Sequence, residues 1–217
     1  MITGTFFYLL NLCLIGRPDD DCTPLHVAAL FGHADVVRSL LSAGADLTLA
    51  PSKGEYLNKR PYEIAQDSCK QTFHIYLFEQ IAMGNTEIVR KLLYGGIPVD
   101  VQDGFQLNES TLHWGCSFNH IEVVKLLLSH GCDVNIKNVN GESCLHLACK
   151  HKNYELVTLL VREGVNIDAV DNSGKSAIDY LLSADKNESV ELIIKLLKNP
   201  PGPTREGHTL FLSTNKD

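Results

Sequence analysis

Apolar residues in the middle of the chain recur at helical spacing. In the segment that begins at Ile121, one face carries Val123, Val124, Leu127 and Leu128 at a period of 3.6, which predicts an amphipathic helix. Gly131 follows at a place where helices commonly end on a left-handed residue. A shorter apolar segment with Leu112, Gly115 and Cys116 comes before it. Its small side chains predict a short helix that another helix can approach closely.

This pattern of a short helix and a longer helix is written twice at a fixed spacing. The residue pairs that lie 33 positions apart are Ser110 and Ser143, Leu112 and Leu145, His113 and His146, Val124 and Val157, and Gly131 and Gly164. Further copies begin at Thr23 and at Ser176. Two short helices cannot bury their apolar faces alone, so the copies must stack on their neighbours as a solenoid.

The repeated residues resemble the ankyrin repeat, whose pattern is TPLHxAAxxGHxxVVxxLLxxGADxN and whose period is about 33 residues. The copy from Thr23, TPLHVAALFGHADVVRSLLSAGADL, is close to that pattern. The resemblance implies an all-α ankyrin-repeat solenoid of about six helix-pair repeats with short hairpin loops. It also implies that the histidine of the TPLH motif is a structural residue that forms local hydrogen bonds.

The second copy departs from the pattern. Arg60 to Ala65 stands where TPLHxA belongs, which leaves about four extra residues in the preceding loop. We expect the outer helix of this repeat to begin near Thr72. No glycine turn follows, so residues 73–83 are predicted to form one longer helix that serves two repeats. The hairpin over residues 99–109 carries about two extra residues.

The domain organisation follows from the repeats. Residues 20–198 are predicted to form the ankyrin-repeat domain, with its irregular second repeat near residues 60–83. Residues 1–19 form an apolar segment that we interpret as a partial repeat, although the apolar run over residues 6–15 could also be a targeting or membrane-associated segment. That run lacks a basic flank and is too short to span a bilayer. Residues 199–217 are predicted to be a polar, disordered tail, because the Pro-rich segment at its start ends the last helix.

Charge limits the classes of partner, and the cysteines indicate the cellular compartment. The formal net charge is −7 and no block of Lys or Arg is present, so the sequence argues against nucleic acid as a partner. The chain has seven cysteines, an odd number, with no disulfide framework spacing. This indicates reduced thiols and an intracellular protein, in the cytoplasm or alternatively the nucleus. We expect a monomer that binds other proteins and no membrane.

Two motifs suggest chemistry and are better explained by the repeat. The His113/Cys116 and His146/Cys149 pairs could supply four zinc ligands. However, Cys116 and Cys149 stand where the repeat usually has alanine, and we therefore predict no metal site and no cofactor. The sequence contains no Gly-rich phosphate loop, nucleophile elbow or HExxH helix. We expect no catalysis.

Protein binding is the function that the solenoid supports, because its inner helices and hairpin tips form an extended surface. The variable positions predicted there are Phe31, Trp114, Phe118, Lys150, His151 and Tyr180. Trp114 is the only tryptophan, and Trp and Tyr are enriched among interface hot spots. We predict that Trp114 and Phe118 anchor a partner. The alternative is that Trp114 packs on a neighbouring repeat.

Asn135 occupies a position where ankyrin-repeat proteins often carry an asparagine that an asparaginyl hydroxylase modifies. The resemblance therefore makes Asn135 a candidate modification site. The alternative is that Asn135 only forms hairpin hydrogen bonds.

The sequence therefore favours a non-catalytic intracellular scaffold or adaptor that binds proteins through an ankyrin solenoid. The alternative is a regulatory or targeting ankyrin segment of a larger multidomain enzyme, or of a kinase or GTPase regulator. A third class is a membrane-associated protein held by residues 6–15.

Overall fold

The computed structural model describes residues 21–182 and 188–201. The predictions made for residues 1–19 and for most of the tail lie outside these residues. The chain divides into two compact units, and the boundary lies between Pro98 and Val99. The described residues of the first unit are 21–98, and those of the second unit are 99–182 and 188–201.

The described residues contain ten α-helices and no β-strand. The first unit has α1 (Pro24–Leu30), α2 (Ala34–Ser42), α3 (Asp67–Ala82) and α4 (Thr86–Tyr94). The second unit has α5 (Thr111–Ser117), α6 (Ile121–Ser129), α7 (Cys144–Lys150), α8 (Tyr154–Arg162), α9 (Ala177–Leu182) and α10 (Glu188–Lys198). The helices form five consecutive pairs: in four of them a short inner helix is followed by a longer outer helix, and in the remaining pair the long helix α3 is followed by α4. This confirms the all-α repeat architecture.

The second unit follows the predicted repeat closely. The predicted apolar face of α6, which includes Val124 and Leu127, is fully buried. A Cβ atom added to Gly115 would lie 3.0 Å from a Val124 methyl group, so the small residue does let α5 and α6 approach. Gly131 has a φ of +81°, as predicted for the end of α6. Helix α10 ends at Lys198, just before the prolines.

Short antiparallel bridges close each hairpin of the second unit. They join Gln102 to Ser110, Lys137 to Ser143, and Val170 to Ser176. The first bridge encloses two more residues than the others, which confirms the predicted insertion in that hairpin.

The first unit departs from the pattern at its centre. Residues 60–65, which stand where TPLHxA belongs, form no helix, and residues 61–64 are in a turn. The outer helix does not begin near Thr72: α3 begins at Asp67 and runs for 16 residues. The prediction of one long helix is confirmed, with an earlier start.

Burial on several sides explains the length of α3. Cys69, Phe73, Leu77 and Ile81 are spaced by four residues and are fully buried. Tyr76 and Phe78 are also buried, and α3 packs against both α2 and α4. Since no glycine occurs between residues 54 and 84, this stretch lacks the residue best suited to a tight left-handed turn. One helix therefore takes the place of an outer helix, a hairpin and an inner helix.

Candidate functional site

A histidine at the start of α1, α5 and α7 links neighbouring repeats. In α5, the His113 Nδ1 atom lies 3.3 Å from the backbone nitrogen of Ser110 and 2.8 Å from its hydroxyl. The His113 Nε2 atom lies 3.0 Å from the Glu142 carbonyl oxygen in the next hairpin. Because a carbonyl can only accept, Nε2 carries the proton and Nδ1 accepts. Burial lowers the pKa of His113, which keeps the ring neutral as this arrangement requires.

The same arrangement recurs in the other repeats. His146 pairs with Ser143 and reaches the Lys175 carbonyl at 3.2 Å, and His26 reaches the Lys59 carbonyl at 3.1 Å. The predicted structural role of these histidines is confirmed. Both ring nitrogens of each histidine are already used, so the geometry explains the His-x-x-Cys units without a metal. Among the described residues, no cluster of three or more His, Cys, Asp or Glu could hold a metal ion.

An aspartate in the first hairpin of the second unit holds the only tryptophan. One oxygen of Asp103 accepts hydrogen bonds from the backbone nitrogens of Phe105, at 2.9 Å, and Glu109, at 3.2 Å. The other oxygen accepts a hydrogen bond from the Trp114 indole nitrogen at 2.9 Å. The Asp103 carboxylate therefore orders the hairpin tip and fixes the indole on α5.

The last hairpin repeats this device. One oxygen of Asp171 accepts from the backbone nitrogens of Ser173 and Lys175, at 2.8 and 2.9 Å. The other oxygen accepts from the Tyr180 hydroxyl at 2.5 Å. These hydrogen bonds hold the pKa of Asp171 well below its usual range and raise the pKa of Tyr180. Trp114 and Tyr180 occupy equivalent positions two repeats apart, so an aspartate orients an aromatic ring in both places.

The middle hairpin has an asparagine at the equivalent position. Asn138 accepts from the backbone nitrogens of Asn140 and Glu142, both at 3.0 Å. Its amide group donates to the Glu142 carboxylate at 3.2 Å. The residue equivalent to Trp114 is here Leu147, which offers no polar donor. The amide is therefore used to bind a carboxylate.

Trp114 lies beside an exposed aromatic side chain of the same helix end. The Trp114 and Phe118 rings lie 5.5 Å apart, and Phe118 lies 6.5 Å from the His120 ring in a stacked arrangement. Trp114 is half-buried, while Phe118 is 49% exposed. We define the apolar patch as Phe105, Leu107, Trp114, Phe118 and Val139.

The hairpin members of the apolar patch lie on two adjacent tips. Phe105 is 62% exposed and Val139 is 58% exposed. The Val139 backbone nitrogen donates to the Leu107 carbonyl at 2.9 Å, which joins the two tips. Trp114 itself contacts Asp103 of the first hairpin through its indole nitrogen and Phe118 through its ring.

A polar cleft lies beyond α7 in the same unit. The Lys150 ammonium group pairs with the Glu142 carboxylate and lies 4.8 Å from the centre of the Tyr180 ring. Burial raises the pKa of Glu142, but hydrogen bonds from Lys150, Asn138 and Tyr180 outweigh it and leave this pKa below 4.5. The cleft has a volume of about 260 Å³. Its lining residues are Asn140, Glu142, Asp171, Asn172, Ser173 and Tyr180.

Four of the six predicted binding residues lie together in two pairs, and the other two belong to neither pair. Lys150 and Tyr180 come together across α7 and α9, and Trp114 lies beside Phe118. His151 is exposed at the end of α7, and Phe31 is 54% exposed at the end of α1 in the first unit. Partner binding by these residues stays a prediction.

Sequence reasoning missed the aspartates that orient the aromatic rings. The signal available was a recurring Asp or Asn at one hairpin position, occupied by Asp103, Asn138 and Asp171. Such residues commonly bind the backbone two residues on. Their bonds to Trp114 and Tyr180, however, depend on how each hairpin folds onto its helix.

Asn135 takes part in the contact between hairpins. It is exposed, and its side-chain oxygen accepts a hydrogen bond from the Asn166 backbone nitrogen at 2.7 Å. Its own backbone nitrogen donates to Asp133 at 2.9 Å. These bonds give Asn135 a structural role, and its hydroxylation stays a prediction.

Within the residues that the structure describes, no helix combines the length and apolar character needed to cross a bilayer. The apolar run over residues 6–15 lies outside the described residues.

These repeats of paired helices and bridged hairpins define a helical-repeat protein. Comparison with known families makes the class specific. The family described as "Ankyrin repeats (3 copies)" matches residues 65–138 and 112–202, and "Ankyrin repeat" matches residues 20–51. The chain therefore belongs to the ankyrin-repeat family, whose members are generally protein–protein interaction modules and typically non-catalytic.

Individual relatives share only part of the chain. Human "Ankyrin repeat domain-containing protein 40" is 40% identical over 67 residues, which cover 30% of this chain and 18% of that protein. The mouse protein of the same name gives the same values. "Potassium channel AKT2/3" of Arabidopsis thaliana is 30% identical over 132 residues, or 55% of this chain and 16% of the channel. The chain thus covers less than a fifth of each of these proteins.

Proposed function

We propose that this chain is a non-catalytic intracellular scaffold or adaptor that binds another protein through the second unit. The observation that carries the proposal is the apolar patch, where Trp114 is oriented by Asp103 and Phe118 is 49% exposed. A rigid, half-buried aromatic ring beside an exposed one is the kind of residue that anchors interfaces. The intracellular location rests on cysteines: Cys116, Cys144 and Cys149 are unpaired and buried.

Preorganisation of the Trp114 ring lowers the free-energy cost of binding a partner. Binding costs less when a side chain already has its bound conformation. The Asp103 carboxylate restricts the Trp114 ring before any partner arrives, and the hairpin bonds restrict the tip. The patch can therefore contribute area without a large ordering cost.

Affinity capture with the intact chain tests this function. We compare the wild type with a Trp114→Ala/Phe118→Ala variant and with a Tyr154→Ala/Leu192→Ala variant. The control removes two side chains that are 42% and 43% exposed on the outer helices α8 and α10. We expect partners to be lost with the first variant and retained with the second, provided that circular dichroism shows both to be folded. Equal capture by all three proteins would contradict the proposal.

An adaptor must also hold two partners at once. We expect two captured proteins to co-elute with the chain in one complex during size-exclusion chromatography of purified components. Mutually exclusive binding would leave an interaction module without the adaptor role. A monomer is expected for the chain alone, and sedimentation equilibrium measures this.

The second candidate function is that of a regulatory or targeting segment within a larger enzyme or signalling regulator. It is favoured by the small share of the relatives that the repeats cover, 16% to 18%. A transcript in which these repeats are joined to a catalytic domain would support it. Activity of that domain that does not change on deletion of the repeats would oppose it.

A further inference from the structure

The acidic residues of the second unit are concentrated on one set of elements. The hairpins and inner helices, residues 99–118, 133–151 and 166–182, contain eight acidic and three basic residues, a net charge of −5. The acidic residues are Asp100, Asp103, Glu109, Asp133, Glu142, Asp168, Asp171 and Asp179, and the basic residues are Lys137, Lys150 and Lys175. Each outer helix, α6, α8 and α10, has equal numbers of both signs. The negative charge therefore lies on the elements that carry the apolar patch.

The first of these segments has the largest net negative charge. Residues 99–118 contain three acidic residues and no lysine or arginine. They also contain four of the five members of the apolar patch. A partner that covers the patch must therefore meet carboxylates at its edge.

The last repeat shows what these elements do with a cation. Tyr180 has the Lys150 ammonium 4.8 Å and the Lys175 ammonium 5.7 Å from its ring centre. Attraction between a cation and an aromatic face is favourable and is strongest for tryptophan. The position that Lys175 holds, just before the capping serine, is held by Glu109 in the repeat of Trp114. The repeat of Trp114 thus has an acidic residue at the sequence position where the repeat of Tyr180 has a lysine.

We propose that the apolar patch binds an extended partner segment in which lysine or arginine flanks an apolar side chain. The apolar side chain packs on Trp114 and Phe118, and the cation lies over the face of the Trp114 ring, where the carboxylates of Asp103 and Glu109 attract it. This inference rests on the proposed function, since it names the kind of partner that the same surface takes. Charge complementarity argues for this partner over neutral or acidic segments.

A peptide selection tests the inference with the intact chain. A phage library of random 12-residue peptides is selected on the wild type and, in parallel, on the Trp114→Ala/Phe118→Ala variant. We expect peptides enriched only on the wild type to combine Lys or Arg with Leu, Phe or Met. Since Trp114 is the only tryptophan, its fluorescence reports binding of a tryptophan-free synthetic peptide at this site.

Matched peptides and variants then separate charge from apolar packing. Replacing the Lys and Arg residues of the peptide by Glu is expected to weaken binding at least about tenfold. Glu109→Gln is expected to weaken binding about threefold, whereas Glu155→Gln on α8 leaves it unchanged. Both effects are expected to shrink when the salt concentration rises from 50 to 500 mM.

The possible outcomes distinguish this inference from the proposed function. Enriched basic and apolar peptides with these responses support both. Enriched neutral or acidic peptides that depend on Trp114 and Phe118 overturn the inference and leave the proposed function standing. Peptides that bind the wild type and the double variant equally overturn both.

Discussion

The two units carry the same repeat and differ at their hairpins. In the second unit, a bridged hairpin precedes each of the three helix pairs, and an Asp or Asn side chain binds the backbone of each hairpin. In the first unit, the 16-residue helix α3 replaces one hairpin altogether. The difference shows that stacking needs only apolar helix faces, whereas a protruding surface needs residues that turn the chain.

The two units differ in net charge as well as in their loops. The described residues of the first unit contain eight acidic and seven basic residues, and those of the second unit have a net charge of −5. The same repeat architecture can therefore carry different surfaces, because stacking positions and surface positions are different residues. The proposed recognition surface lies in the second unit, which carries both the apolar patch and the larger negative charge.

The largest expected effect tests whether the units are independently stable. Phe73→Ala in α3 removes a fully buried ring and is expected to cost about 3–5 kcal/mol of unfolding free energy. In a solenoid stabilised by near neighbours, hydrogen exchange is expected to rise in α2–α4 more than in α5–α10. Leu127→Ala in α6, also fully buried, is the matched variant and is expected to give the reverse pattern. Equal loss of protection in both units would contradict the division.

A smaller loss is expected when one histidine link between repeats is removed. His113→Phe leaves the Ser110 nitrogen and the Glu142 carbonyl without their ring partner. Each buried group left unsatisfied costs about 1–3 kcal/mol, so denaturation in urea should show a loss of about 2–4 kcal/mol. His151→Phe changes an exposed histidine and is expected to stay within about 0.5 kcal/mol. A loss for His113→Phe as small as that for His151→Phe would mean that the hydrogen bonds of His113 contribute little to stability.

Acid is expected to weaken both units. Burial lowers the pKa of His113 and His146 in the second unit, and of His26 and His74 in the first. A histidine whose pKa is lower in the folded state contributes stability that is complete above the unfolded value of 6.5. That stability is lost as the pH falls below 6.5 toward the folded pKa values.

Thermal unfolding measures this effect. We expect the midpoint to fall between pH 7.5 and pH 5.5 by a few degrees, since about 1 kcal/mol moves the midpoint of a domain of this size by about 2–4 °C. The drop should be smaller in the His113→Phe variant, which has one such group fewer. A midpoint that rises on acidification would show that these rings are charged in the fold.

The smallest expected effect concerns the aspartate that orients Trp114. In Asp103→Asn the amide oxygen can keep the hydrogen bonds from the backbone, and the NH2 group then faces the indole N–H, which needs an acceptor. The substitution is expected to lower the free energy of unfolding by about 1 kcal/mol. We expect the fluorescence of Trp114 to broaden or shift while helix content stays constant. Asp133→Asn, in the next hairpin, is the control and should leave the emission unchanged. An unchanged spectrum for Asp103→Asn would show that packing alone orients the ring.

Much of the fold could be predicted, because stacking residues recur. The 33-residue period located helices α5 to α8, and the histidine of each TPLH-like motif was expected to bind locally, as it does. The break in the pattern also predicted a long helix near residues 73–83. Its start at Asp67 and the turns at residues 60–65 could not be read, since they depend on which apolar residues of α3 meet α2 and α4.

The candidate site was predicted in part. Trp114, Phe118, Lys150 and Tyr180 were named from their positions in the repeat, and whether they bind a partner stays a prediction. The exposed apolar side chains on the hairpin tips and the role of the aspartates were not foreseen. Surface position in a repeat can be read from spacing, but contact between a hairpin and a helix cannot.

The sequence by itself determined the repeat, the local hydrogen bonding of the histidines in the TPLH-like motifs and the charge of the chain. A helix-spaced apolar face must be buried, and residues 33 apart must take equivalent places in a stack. Only the tertiary structure decided that Asp103 would hold Trp114 and Asp171 would hold Tyr180. These pairs lie 11 and 9 residues apart, and only the folding of each hairpin back over its inner helix brings the carboxylate within hydrogen-bonding distance of the ring.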